Sequence, residues 1–248
     1  MNTRTNTAVL FRIGATVAVV RSAHNDRSVL RQLLAESGVS EVVELRSSVG
    51  FMAPHGGSLE EETDVIAAAA AEQGGASLYA VLQPPELQWH VPSHHFRADE
   101  SAALAAFLDH VDVVVAIHGY GRDGMWTSLL LGGRNRALAA DLGAVLRPAL
   151  PDYTVVDELA AVPTDLRGLH PDNPVNRARH GGVQLELPPR VRGHSPVWAD
   201  WAGPGPVPPM AALIETLAGW ARSPRRSRTV APPADGGGGA RPAARRPT

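Results

Sequence analysis

Short apolar runs alternate with stretches of helical spacing along most of this chain. The most continuous run, residues 111–117, is nearly all aliphatic and interrupted only by Asp112. Such a run suits a strand buried on both faces of an α/β sheet. Residues 16–20, 42–45, 49–52, 77–82, 129–131 and 153–156 read as further short strands. Between them lie helical patterns. Leu30, Leu33 and Leu34 share one face of a helix that Asp26 caps and Gly38 stops. Helices are also expected over about 59–72, 99–108, 134–146 and 210–221, the first of them carrying Val65, Ile66 and an alanine run that permits close packing. Strands alternating with helices predict an α/β fold. The expected form is one domain with a mixed, mostly parallel twisted sheet and helices on both faces.

Residues 182–187 break the apolar habit. Val183, Leu185 and Leu187 fall on one face of a strand, Gln184 and Glu186 on the other. A carboxylate buried there without a partner would cost several kcal/mol. Glu186 therefore faces solvent from a half-exposed strand, or it faces a polar site, and alternation alone does not choose.

Composition narrows the chemistry. With 248 residues and 44% hydrophobic content the chain can bury a substantial core, and a net charge of −2 gives no general pull toward nucleic acid or an anionic membrane. There is no cysteine, so a bound zinc would need histidine and carboxylate ligands, a set more typical of catalytic sites. All 23 basic residues are arginine, which removes Schiff-base and P-loop lysine chemistry. The apolar stretch at 7–20 contains Arg12 and is too short to span a bilayer. It is also a poor secretory segment, so a cytoplasmic protein is expected, with a degenerate signal as the alternative. The domain should occupy residues 1–222. Residues 223–248, with six arginines and one aspartate among prolines and glycines, read as a disordered basic tail. Nothing in the pattern sets an oligomeric state.

The candidate chemistry gathers around residues 51–63. An apolar run ends in His55, Gly56 and Gly57 let the chain turn, and carboxylates follow at 60–62. Histidine and glutamate at the carboxyl end of a strand can begin a zinc site. Equally, Ser58 could cap the next helix with Glu61 closing a capping box. The pattern repeats at His118-Gly119, again at a strand's carboxyl end, where open α/β sheets bind ligands. His90, His94 and His95 crowd one loop, either as ligands or as solvated residues. Asn176 and Arg177 stand together in another, where the planar guanidinium could clamp a carboxylate. A phosphate cradle at the His-Gly-Gly loop is the competing class, but the loop lacks the dinucleotide glycine spacing, and Glu60 to Glu62 would repel an anion.

Taken in order, His55-Gly56-Gly57-Ser58-Leu59-Glu60, His90-x-x-Ser93-x-His95-Phe96, His118-Gly119, Gly132-Gly133, Asn173-x-x-Asn176-Arg177 and Gly182 to Leu187 resemble the poly-γ-glutamate hydrolase family. Those are zinc-dependent enzymes with a zinc-carboxypeptidase-like fold, and the resemblance covers about residues 40–190. It implies Zn2+ on His55, Glu60 and His118, with Glu186 as general base. It implies an anionic peptide polymer as substrate, met by Asn176, Arg177, Arg179, His90, Ser93 and His95. The five-residue step from His55 to Glu60 follows that family, whereas carboxypeptidases space these ligands three apart. A carboxypeptidase or amidase acting on ordinary or cell-wall peptides is the alternative within the same chemistry.

Overall fold

The computed structural model describes residues 9–13, 16–20 and 29–223, with burial and side-chain contacts from residue 29 onward. The expected cap at Asp26 and the basic tail beyond residue 223 lie outside the described residues.

Among the described residues nine strands form one sheet: β1 (Val9–Ile13), β2 (Thr16–Val20), β3 (Ser40–Leu45), β4 (Val49–Gly57), β5 (Ser77–Gln83), β6 (Val113–Gly119), β7 (Ser128–Leu131), β8 (Thr154–Val156) and β9 (Gly182–Leu187). Their spatial order is β2-β1-β3-β5-β4-β6-β9-β7-β8. Among the described residues five pairings are parallel and three antiparallel, so the sheet is more mixed than the long apolar runs suggested. The strand expected at 16–20 is present as β2, and it pairs antiparallel with a further strand before it, β1, which is also parallel to β3.

Five α-helices of the described residues cover the two faces: α1 (Val29–Ala35), α2 (Thr63–Gly74), α3 (Ala102–His110), α4 (Arg136–Ala149) and α5 (Pro208–Arg222). Strand alternation sorts them. Phe51, Val115, Ile117, Val183 and Leu185 pack with α2, α4 and α5 in one layer. Met52, Val114, Ala116 and Tyr79 pack with α1 and α3 in the other. The central strands β4, β6 and β9 are buried along nearly their whole length, and the β-branched run of β6 suits that place.

Helix α2 starts later than the sequence suggested, at Thr63 rather than near Leu59, and the Ser58–Glu61 capping box does not form. The Ser58 N–H instead donates to Gln83 O at 3.0 Å, extending β4 along β5 through Gly57. Glu62 occupies the cap position in a left-handed conformation, φ 72°, with no side-chain cap. No helix of the described residues is long and apolar enough to cross a membrane.

Candidate metal centre

Strand β6 delivers His118 by simple alternation, since Val114 and Ala116 face the α1/α3 layer and His118 continues that row. Glu186 lies opposite His118 in the β6–β9 register, on the same face as Gln184. His55 needs a device. Phe51 and Ala53 face the α2 layer, so unbroken alternation would send residue 55 there too. Ala53 pairs with Ala80 but Gly56 with Leu82, so β4 carries one extra residue. This bulge re-aims the chain. His55 emerges on the opposite layer, with ring centroids 4.6 Å from His90, 5.7 Å from Phe96 and 5.0 Å from His118.

A tight turn after β4 then folds Glu60 back onto His55. The Glu60 N–H donates to His55 O at 2.9 Å, and the Thr63 N–H and hydroxyl close on Glu60 O at 3.2 and 2.7 Å. Gly57, at φ 69°, donates to Asp64 Oδ1 at 3.0 Å. The result is a carboxylate between two imidazoles: Glu60 Oε1 is 2.7 Å from His55 Nδ1, and Oε2 is 3.3 Å from His118 Nδ1. Oε2 also accepts from the Gly119 N–H at 2.9 Å. One donor atom from each of His55, Glu60 and His118 falls within 4.8 Å of the others. His55 Nε2 is 2.8 Å from Val91 O. That contact makes Nε2 a donor to the carbonyl and leaves Nδ1 facing Glu60 as the nitrogen a metal would take in place of its proton. The donor set and its orientation fit a catalytic zinc site.

The electrostatics agree. His55 and His118 are 2% and 3% exposed, and Glu186 is 3% exposed. Burial pushes the Glu60 carboxyl up, but the charges of His55 and His118 outweigh it and hold it well below the usual carboxylate range. Burial opposes the His118 imidazolium, yet the charge and contact of Glu60, with Glu186 beyond, leave its pKa raised. Glu186 is pushed up to about 7, by burial first, while His118 pulls down, the Glu60 charge adds and Gln184 opposes. Two buried carboxylates sharing one pocket ask for a cation between them.

Glu186 is held from behind. Gln184 Nε2 donates to Glu186 Oε1 at 2.8 Å, and Asn173 Nδ2 donates to Gln184 Oε1 at 2.9 Å. Sequence reading assigned neither Gln184 nor the Asn173 side chain this task. The alternation that put Gln184 beside Glu186 was the available signal.

The residues expected to meet substrate divide. His90 is exposed beside His55, at the mouth of the site. Ser93 and His95 belong to a short 3-10 turn (Ser93–His95), and His95 stacks on His94, which in turn stacks on His170. Asn176 is committed to backbone, donating to Gly168 O and His170 O and accepting from the Arg134 N–H. Arg177 is exposed, 3.8 Å from Asp172. Arg179 pairs with Asp112 at 3.1 Å, just before β6 begins. Six strand residues, about 20 Å, separate that end from His118. Its pairing with Asp112, at the start of β6, therefore keeps Arg179 from the centre. Arg122 lies in the loop after β6 and pairs with Asp165.

Comparison with known proteins places this geometry. The family model described as poly-gamma-glutamate hydrolase matches residues 33–195. The SPbeta prophage-derived UPF0714 protein YoqZ of Bacillus subtilis (strain 168) is 32% identical over 139 residues, 55% of this chain and 47% of that protein. The chain thus spans about half the length of that curated relative. A solved bacteriophage poly-gamma-glutamate hydrolase is 25% identical, covering 74% of this chain and 89% of its own, with a TM-score of 0.56. The zinc-free apo form of YndL is 23% identical over 78% of this chain and 92% of its own, with a TM-score of 0.60.

Proposed function

Because the chain belongs to the poly-gamma-glutamate hydrolase family, we propose that it cleaves γ-glutamyl amide bonds in poly-γ-glutamate or a similar carboxylate-rich peptide, using zinc held by His55, Glu60 and His118. The observation that carries the reading is the buried Glu60 carboxylate bridging the Nδ1 atoms of two histidines, with a second carboxylate, Glu186, facing the same pocket. Zinc bound there would lower the pKa of a coordinated water toward about 7 and polarise the scissile carbonyl.

Glu186 then acts as general base. Its Oε1 is occupied by the Gln184 amide, so Oε2 is the oxygen left to accept the proton of the attacking water and return it to the leaving amine. The Asn173–Gln184 chain keeps this carboxylate from rotating away. His90, at the mouth, lines the approach, and Arg122 and Arg177 are exposed cations available to the α-carboxylates of a γ-linked chain.

Metal analysis of purified protein, joined to a panel of γ-linked and α-linked oligoglutamates read by mass spectrometry, tests this. Stoichiometric zinc with cleavage of the γ-linked members supports it. Cleavage confined to α-linked peptides would keep the metal centre and overturn the substrate. Protein free of zinc after zinc loading would overturn the metal centre itself.

A further inference from the structure

Arg192 lies outside every motif discussed so far, in the turn after β9, and only 9% of it is exposed. Its guanidinium meets the three segments that build the centre. Nη1 donates to Glu61 O at 2.6 Å, within the strained turn that carries Glu60. Nε donates to Leu187 O at 3.3 Å, one residue past Glu186. The flat of the group lies against Gly119, one residue past His118: a Cβ added there would stand 2.8 Å from Arg192 Cζ, a distance no side chain tolerates. Glycine at 119 is what admits the guanidinium.

The turn needs such a tie. Glu62 holds a left-handed backbone, φ 72°, that a non-glycine residue keeps only when its surroundings enforce it. The Glu61 carbonyl, adjacent to it, is gripped by Arg192 from a segment 131 positions away in the chain.

We propose that Arg192 is a positioning residue of the metal centre: by tying the Glu61 carbonyl to the Leu187 carbonyl across Gly119, it fixes the Glu60 carboxylate between His55 and His118 and so sets how tightly the metal is held. The inference rests on the metal reading above. Arg192 touches neither the metal-facing atoms nor the proton-accepting oxygen of Glu186, so its contribution is to metal retention rather than to the proton transfer.

The test is zinc affinity by competition against a chromogenic chelator, on wild type, Arg192→Met and Arg192→Lys, with melting of the metal-free proteins and kcat at saturating zinc. Arg192→Met should weaken zinc binding about 10- to 100-fold, the usual effect of losing an outer-layer partner of a metal ligand. Arg192→Lys, which keeps the charge but offers one nitrogen where the guanidinium spans the two carbonyls with two, should fall between. In both, kcat at saturating zinc should return to within a few-fold of wild type. A lower melting temperature with unchanged zinc affinity would show a packing residue only and overturn the proposal. Should Arg192→Met not fold, Gly119→Ala, which expels the guanidinium without deleting it, must show the same loss of affinity, and wild-type affinity there overturns the proposal too. Wild-type protein that binds no zinc sinks the metal reading and this inference together. Wild-type binding matched by the variants sinks this inference alone.

Discussion

His118 on β6 and Glu186 on β9 stand directly opposite one another across a parallel pairing, both buried and on the same face of the sheet. Cross-strand neighbours lie about 5 Å apart, so this register alone sets the proposed base beside a proposed ligand. The strands are packed on both faces, so neither residue can move off independently.

Glu186→Gln separates the roles. The amide matches the carboxylate in volume but cannot accept a proton. The variant should fold, retain zinc, and lose about a hundredfold or more in kcat. A variant active at the wild-type rate would remove Glu186 from the mechanism while leaving the ligands untouched.

Replacing either histidine by alanine should behave differently. His55→Ala or His118→Ala leaves two protein ligands where a catalytic zinc site needs three. Zinc content and hydrolysis are expected to disappear together. Normal zinc content in one variant would strike that residue from the ligand set.

The pH profile follows from Glu186. A general base works when deprotonated, so kcat/KM should fall as pH drops through its pKa. Without metal, burial raises that pKa to about 7. A bound dication pulls it back down, so the acid limb should lie between the ordinary glutamate value and about 7. Zinc-loaded enzyme with no acid limb in that interval would refute the assignment.

On β3, two strands over from β4, Glu41 is 1% exposed and accepts from Tyr79 Oη at 2.7 Å and from Ser101 Oγ. Burial raises its pKa, against the lowering effect of Ser101 and then Tyr79. A folded-state pKa above the unfolded one means that its contribution to stability is complete below the ordinary glutamate range and is lost as pH rises through the folded value. Glu41→Gln keeps the accepting oxygen and removes the charge. Melting curves should show the variant gaining on wild type as pH rises above the ordinary glutamate range, each kcal/mol appearing as about 2–4 °C. Parallel curves would show that Glu41 does not titrate there.

Much of this was legible in the residues. The run at 111–117 has one sensible home, a central strand, and His118 follows from it by parity. Gln184 and Glu186 could be placed on one face, though not assigned to a polar pocket, because alternation is blind to what lies opposite. Helix α2 was misjudged because Ser58 and Glu61 satisfy a local capping rule. The tertiary pairing of Ser58 with Gln83 and the inward turn of Glu60 override that rule. Arg192 was invisible because its partners are carbonyls of distant residues, and backbone acceptors leave no mark in a sequence. Arg179 misled for the opposite reason, since proximity to Asn176 in the chain says nothing about the partner its own side chain finds, here Asp112 at the start of β6.

The extra residue in β4 bears on two kinds of genetic change. Substitutions at 53, 54 or 56 alter a side chain but leave the count of residues. A single-codon deletion of Pro54 removes the bulge yet sets the histidine directly after Ala53, where regular alternation turns it to the same layer as now, opposite Val81. The strand would still pair and the layers would still pack, so such a variant should be well folded and keep its imidazole on the same side. Across this short stretch, the face that the histidine presents is open to divergence by replacement and by the loss of one codon alike.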